Sequence, residues 1–158
     1  ADGATGPADP GRAAPLFERA CAAGAAPNGA SSGGASGPDG GAGDACNALA
    51  DLLWRGAKPL NKDRARAVGL YVQGCAAGGA SACFNAGRAL ARGDNVAKDE
   101  ARAADAFARG CDAGDGRACG EFAAALDAGR GVAQDGARAQ PIYARACALG
   151  WRNDRCGK

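Results

Sequence analysis

The stretch GCDAGDGRACGEF, residues 110–122, places Cys111 and Cys119 on either side of a glycine-rich turn. Such a pair could be metal ligands, a redox centre or a disulfide. Zinc sites use closely spaced cysteines or mixed cysteine and histidine sets, and thioredoxin-type redox pairs use C-x-x-C. The chain has eight cysteines, no C-x-x-C pair and no histidine. The sequence therefore favours a disulfide and predicts no metal and no cofactor.

The cysteines recur with a period of 36 residues, which indicates internal repeats. An aspartate, an arginine and an aromatic residue keep the same period ahead of the first cysteine of each pair. The segment around Cys21 follows this pattern too, but its partner Cys46 comes after 17 extra residues. Eight cysteines allow 105 pairings, and the repeat selects one. The predicted pairs are Cys21–Cys46, Cys75–Cys83, Cys111–Cys119 and Cys147–Cys156.

Each repeat contains two predicted helices. In KDEARAADAFARGCDAG, residues 98–114, Asp99 occupies the N-cap position, apolar residues follow at helical spacing, and Gly114 ends the helix. In ACFNAGRALARG, residues 82–93, small residues and Leu90 face inward. The predicted fold is all-α: a disulfide-stapled α-solenoid of about three and a half helix-turn-helix repeats over residues 9–158, after an N-terminal tail at 1–8.

Three local features depart from the regular pattern. Pro15 and Pro141 fall inside the first and last predicted helices, which we expect to start late or kink. Residues 27–43 are rich in Gly, Ser and Pro and predict an irregular insertion loop. We expect this loop to contact another chain or fold back along the first repeat. Trp151 is predicted to cover the end of the core.

The composition indicates a thin core and an oxidising compartment. The chain has 44 Ala and 27 Gly, but only 22 Leu, Ile, Val, Phe, Trp and Tyr together. Eight cysteines in such a chain favour export, so we expect a periplasmic, secreted or cell-surface location. The absence of an N-terminal Met fits a removed signal peptide or a trimmed chain. A net charge of +2 does not suggest nucleic acid, and no apolar stretch is long enough for a transmembrane segment.

The repeat pattern, with its Cys-x₇-Cys turn, resembles Sel1-like repeats. It is most similar to the cysteine-rich bacterial subclass typified by the Helicobacter cysteine-rich proteins. The resemblance implies an exported right-handed superhelix that serves as a binding scaffold. The chain departs from the family pattern in the turn sequence G-x-G-V, which survives best as GRGVAQD at residues 129–135. Some relatives are described as penicillin-binding or as β-lactamases. This chain has no S-x-x-K motif and no histidine base, so we predict that it is not an enzyme.

A candidate partner-binding face lies on the helix that begins at the second cysteine of each pair. Positions two, five and nine after that cysteine share one face outside the apolar stripe, and in similar repeats this helix lines the concave side. Trp54 and Phe84 are possible aromatic anchors on it. The predicted partner-binding residues are Trp54, Arg55, Phe84, Asn85, Arg88, Arg92 and Glu121. A merely solvated face is the alternative interpretation of the same residues.

Two functions follow from these features. The first is a non-catalytic exported scaffold that binds a protein or peptide partner. The second is an architectural subunit of a larger assembly, packed through its ends and its Gly-rich insertion. The recurring aspartates at 63, 99 and 135 are predicted helix caps, and the arginines three residues later are predicted to form surface ion pairs.

Overall fold

The computed structural model describes residues 9–24 and 41–156. These residues contain helices and turns but no strand, which confirms the predicted all-α class. Each helix packs against the next along the chain, and α2, α4 and α6 also contact one another in that order. The helices are α1 (Pro10–Ala23), α2 (Ala42–Arg55), α3 (Arg64–Ala76), α4 (Ala80–Arg92), α5 (Glu100–Asp112), α6 (Gly116–Ala128) and α7 (Gly136–Ala148).

Aspartate caps begin the odd-numbered helices. The side chains of Asp63, Asp99 and Asp135 each accept the backbone N–H three residues later at 2.9 Å, as predicted for an N-cap residue. Of the predicted surface ion pairs, the one at Arg66 forms, with Glu18 of α1 as its partner at 2.7 Å. Arg102 and Arg138 have no carboxylate of the described residues within 4.0 Å.

Left-handed residues end the helices and shape the turns. Gly78, Gly114 and Gly150 have φ values of 88°, 95° and 87° and each follows the C-cap residue of its helix, α3, α5 or α7. In the G-x-G-V turn Gly131 has φ 70°, and Asn95, which replaces glycine one repeat earlier, has φ 61°. Asparagine tolerates this conformation better than other side chains. The turn GDNV is therefore preserved in structure although its sequence departs from the pattern.

The two internal prolines do not delay their helices. α1 begins directly after Asp9 and α7 directly after Asp135, as the other capped helices do. The late start is therefore wrong, because the N-cap hydrogen bonds form the first turn before the proline is reached, and the alternative of a kink stays a prediction. Pro15 and Pro141 are each the sixth helical residue and are exposed, so they remove one backbone hydrogen bond without disturbing the core.

A disulfide closes each turn between a capped helix and the segment that follows it. The bonded pairs are the ones that the repeat selects, with Cα–Cα distances of 4.7, 4.3, 4.4 and 5.4 Å: Cys21–Cys46, Cys75–Cys83, Cys111–Cys119 and Cys147–Cys156. Three of these sulfurs are among the most deeply buried groups of the core, at Cys46, Cys83 and Cys119. Each bridge therefore serves both as a covalent link and as core packing.

The rest of the core is built from small residues. Leu49, Val68 and Leu126 are its largest fully buried side chains, and most of its other members are alanines. Glycine allows the closest approach: a Cβ added to Gly110 would lie 2.8 Å from the Cβ of Ala118. At the C-terminal end Trp151 stacks on Tyr143 with ring centroids 5.9 Å apart, which confirms its predicted place over the core.

Parts of two predicted segments lie outside the described residues. The tail at 1–8 is one, and residues 27–40 of the insertion are the other. The predicted insertion is also too long at its C-terminal end, because Gly41 is the N-cap of α2 and Ala42 and Gly43 are helical. The remaining expectations for the insertion stay predictions.

Two glycine-to-alanine substitutions should change stability in opposite directions. Gly110→Ala should lower the free energy of unfolding by about 1–2 kcal/mol, because overpacking costs more than the gain in helix propensity. Gly69→Ala should raise it by about 0.5–1 kcal/mol, since Gly69 is exposed within α3 and a Cβ there meets nothing within 4 Å. Urea unfolding of the two variants measures both changes. Equal effects of the two substitutions would contradict the close packing at Gly110.

Candidate functional site

A cleft of about 170 Å³ opens where α2, α3 and α4 meet. It contains three of the predicted partner-binding residues, Trp54, Asn85 and Arg88. Its other lining residues come from the same helices and from the turn after α4: Asp51, Tyr71, Ala89 and Asp94. The cleft is therefore a mixed polar and aromatic surface, and it is centred on the predicted face.

Hydrogen bonds between three helices form the floor of this cleft. The Tyr71 hydroxyl donates to Asp51 Oδ1 at 2.6 Å, so α3 is joined to α2. The amide Nδ2 of Asn85 donates to Asn47 Oδ1 at 2.9 Å, which joins α4 to α2. Asn47 Nδ2 in turn lies 3.4 Å from Asp51 Oδ2. Because the two carboxylate oxygens of Asp51 serve this network, the floor is held in one arrangement.

The environment of Tyr71 changes its acidity. Burial raises the pKa of Tyr71 well above its ordinary value, and the hydrogen bond to Asp51 and the negative charge of that carboxylate raise it further. The positive charges of Arg55 and Arg88 act in the opposite direction and are smaller effects. The shift extends to higher pH the range in which the neutral phenol donates this hydrogen bond.

An aromatic pair forms one wall. The rings of Trp54 and Tyr71 lie 6.3 Å apart at an interplanar angle of 52°. The guanidinium carbon of Arg64 lies 5.1 Å from the centre of the Trp54 ring, a cation–π contact that holds the indole in place. Trp54 is only half-buried, so part of it remains available to a partner.

Arginine dominates the rim of the cleft. Arg88 and Arg92 are exposed, and no carboxylate in residues 9–24 or 41–156 lies within 4.0 Å of either guanidinium. Arg88 packs over the Phe84 ring at 5.5 Å. Arg55 lies 3.8 Å from Asp51 and is itself largely exposed. Arg88 and Arg92 are thus the rim cations that carboxylates of this part of the chain do not pair with.

The structure separates two predicted residues from this cleft. Phe84 is only 8 % exposed and packs against Phe107, so the prediction of Phe84 as a surface anchor is wrong. The residue directly after the second cysteine points into the helix interface, where the equivalent positions hold Asn47 and Gly120. Glu121 lies in a second cleft, between α4, α5 and α6. Arg55 and Arg92 lie beside the first cleft but do not line it.

Four lining residues were not among the predicted partner-binding residues: Asp51, Tyr71, Ala89 and Asp94. Tyr71 was noted only as part of the aromatic series, and Asp94 lies in a turn. The sequence holds no consistent signal for this contact: Tyr71 follows a helix that carries Asp51, but Tyr143 follows a helix that carries Ala124 at the equivalent position.

Comparison with solved structures identifies the architecture. A Sel1 repeat protein from Oxalobacter formigenes matches 92 % of this chain and 94 % of its own length, with a TM-score of 0.70 and 21 % identity. The chain adopts the Sel1-like repeat fold. Helicobacter pylori cysteine rich protein B matches 99 % of this chain and 98 % of its own, with a TM-score of 0.64 and 22 % identity. The predicted resemblance to cysteine-rich Sel1-like repeats is thereby confirmed at the level of the fold.

A third match is longer than this chain. The protective antigen c5321 of uropathogenic Escherichia coli has a TM-score of 0.64 and 20 % identity over 68 % of this chain. The match spans 23 % of that protein, so this Sel1-like array corresponds to about a quarter of it. No protein-family model matches the sequence, and no curated protein matches it.

Other kinds of site are not found in the described residues. No three His, Cys, Asp or Glu side chains of residues 9–24 and 41–156 are grouped so that they could hold a metal ion. None of the described helices has the length and apolar character needed to cross a bilayer.

The titration of Tyr71 tests the floor of the cleft. In a Tyr143→Phe background Tyr71 is the only tyrosine, and ultraviolet absorbance should show it protonated at pH about 10, where free tyrosine is half-ionised. Asp51→Asn should move its pKa down toward the ordinary value, whereas Asp44→Asn, at an exposed position of the same helix, should not. Because the folded state has the raised pKa, the stability contribution is complete below about pH 10 and is lost as the pH rises further. An unchanged titration in Asp51→Asn would contradict the network.

Proposed function

We propose that this Sel1-like chain is a non-catalytic scaffold that binds a protein or peptide partner on the face formed by α2, α4 and α6, which is the concave side in similar repeats. One observation carries the proposal: Arg88, which has no carboxylate of the described residues within 4.0 Å, lines a cleft that also contains a half-buried tryptophan. Arginine and tryptophan are enriched among the residues that dominate binding energy at protein interfaces.

The rigidity of the cleft supports this function. The hydrogen bonds from Tyr71 and Asn85 and the contact of Arg64 with Trp54 hold the floor and one wall before a partner arrives. A surface that is already ordered loses less conformational freedom on binding, so more of the contact energy appears as affinity. The polar floor also discriminates, because a partner must match its donors and acceptors.

We further propose that the protein works in an oxidising compartment, either the periplasm or the cell exterior. Four disulfides within a chain of this length support that location. Reducing compartments would open these bridges, and the thin alanine core leaves little to replace them.

An architectural role is the second candidate, and the ends of the array favour it. Leu16 on α1 is 63 % exposed and Leu149, directly after α7, is 44 % exposed. They are the two exposed large hydrophobic side chains of the described residues, and they lie in the first and last repeats. A partner that packs on these ends would extend the array into a larger assembly.

Charge reversal on α4 separates the two candidates. The double variant Arg88→Glu, Arg92→Glu should lose binding of the partner captured by the wild-type protein from a periplasmic or extracellular extract of the source organism. The helical circular dichroism should be unchanged, because both side chains are exposed and their loss removes only a weak cation–π contact of about 0.5–1 kcal/mol.

The matched control reverses two arginines on other helices. Arg102 and Arg138 are also exposed, and they lie in the first turns of α5 and α7, so Arg102→Glu, Arg138→Glu changes the net charge equally. This control should capture the partner as the wild type does. If both double variants retain the partner, the α4 face is solvated surface and the architectural role is favoured.

A further inference from the structure

The second cleft is the repeat equivalent of the first. It has a volume of about 120 Å³ and lies where α4, α5 and α6 meet. One repeat of 36 or 37 residues relates five lining positions of the first cleft to five of the second. The equivalent pairs are Trp54 and Ala91, Tyr71 and Phe107, Asn85 and Glu121, Ala89 and Ala125, and Asp94 and Arg130.

The two clefts differ in chemistry. The second has an apolar floor formed by Phe107 and the alanines at 103, 104 and 125. Its Lys98 and Glu100 pair with each other at 2.8 Å, and Glu121 and Arg130 add one charge of each sign. The second cleft therefore offers apolar surface with balanced charges, whereas the first is polar and carries Arg88 together with Asp51 and Asp94.

We propose that the two clefts are adjacent subsites for one extended peptide, with an acidic side chain in the first cleft and an aliphatic side chain in the second. This inference rests on the proposed function and specifies the partner's chemistry. The residue at the position of Trp54 distinguishes the two subsites. In the first cleft the Trp54 indole occupies the space above the floor, whereas in the second the smaller Ala91 leaves that space open.

Charge complementarity selects an acidic residue for the first cleft. The carboxylate of Asp51 accepts hydrogen bonds from Tyr71 and Asn47, and Arg55 lies 3.8 Å from it and offsets part of its charge. Four arginines surround the cleft on α2, α3 and α4, against the two carboxylates that line it. The surrounding arginines are Arg55, Arg64, Arg88 and Arg92. A carboxylate that approaches Arg88 gains a charge-assisted hydrogen bond at a site where it meets a net positive field.

The spacing of the subsites selects the conformation of the peptide. The helix α4 lies between the first cleft and the second. Because directly packed helices lie about 8–10 Å apart, the two clefts should be separated by about that distance. A polyproline II segment rises about 3.1 Å per residue with three residues per turn, so residues i and i+3 lie on one side about 9 Å apart. In a β-strand, side chains on the same side are about 7 or 13 Å apart, which matches the distance between the clefts less well. The peptide should therefore carry its acidic and aliphatic residues three positions apart.

Labelled proline-rich peptides test the proposal by fluorescence anisotropy. The reference peptide contains one Glu and one Leu three positions apart, made in both orders, and matched peptides replace Glu by Gln, replace Leu by Ala, or place the two residues two positions apart. For the better order of the reference peptide, each change should weaken binding to the wild-type protein by about tenfold. In Arg88→Gln the Glu and Gln peptides should bind alike, whereas the Leu-to-Ala change should keep its effect.

Two results would overturn the two-subsite arrangement. One is equal binding of the Glu and Gln peptides to the wild-type protein, and the other is an affinity that does not depend on the spacing. Absence of binding by all of these peptides, while charge reversal at Arg88 and Arg92 still abolishes partner capture, would also reject it and leave the proposed function standing. If charge reversal has no effect on capture, the proposed function itself is rejected.

Discussion

The disulfide across each inter-helix turn is the constraint on which the rest of the structure depends. Loop-closure arguments give each eight- or nine-residue bridge about 2.5 kcal/mol and the longer Cys21–Cys46 bridge about 3.5 kcal/mol. Their total is of the order of 10 kcal/mol, comparable with the whole free energy of unfolding of an ordinary domain. A chain with 44 alanines and only 22 large apolar residues therefore obtains from covalent links what larger side chains supply elsewhere.

Small side chains have a second consequence, which connects stability to function. Close approach at glycines such as Gly110 brings neighbouring repeats together without large interlocking side chains. The helices α2, α4 and α6 consequently contact one another in that order. Their polar residues line clefts between repeats rather than a flat surface. The same 36-residue repeat then creates equivalent clefts, and substitutions at single positions give each cleft its own chemistry. Asn85 and Glu121 are one such pair.

The sequence predicts well those features that depend on local physics repeated in register. The period, the aspartate caps, the glycine helix ends and the place of Trp151 all follow from short-range patterns. It predicts poorly the features that depend on which side chains meet across helices. Arg66 pairs with Glu18, 48 residues away, and Phe84 is buried in the core because its position, directly after the buried Cys83, faces the next helix. The bond between Tyr71 and Asp51 likewise requires two helices to be placed first.

Thermal unfolding before and after reduction tests the central claim most directly. The protein is reduced, its thiols are alkylated, and its helical circular dichroism is followed with temperature beside that of the oxidised protein. Losing about 10 kcal/mol should lower the melting temperature by more than about 20 °C or abolish the folded state at room temperature. A reduced and alkylated chain that melts within a few degrees of the oxidised protein would show that the alanine core alone holds the repeats, and would contradict this account.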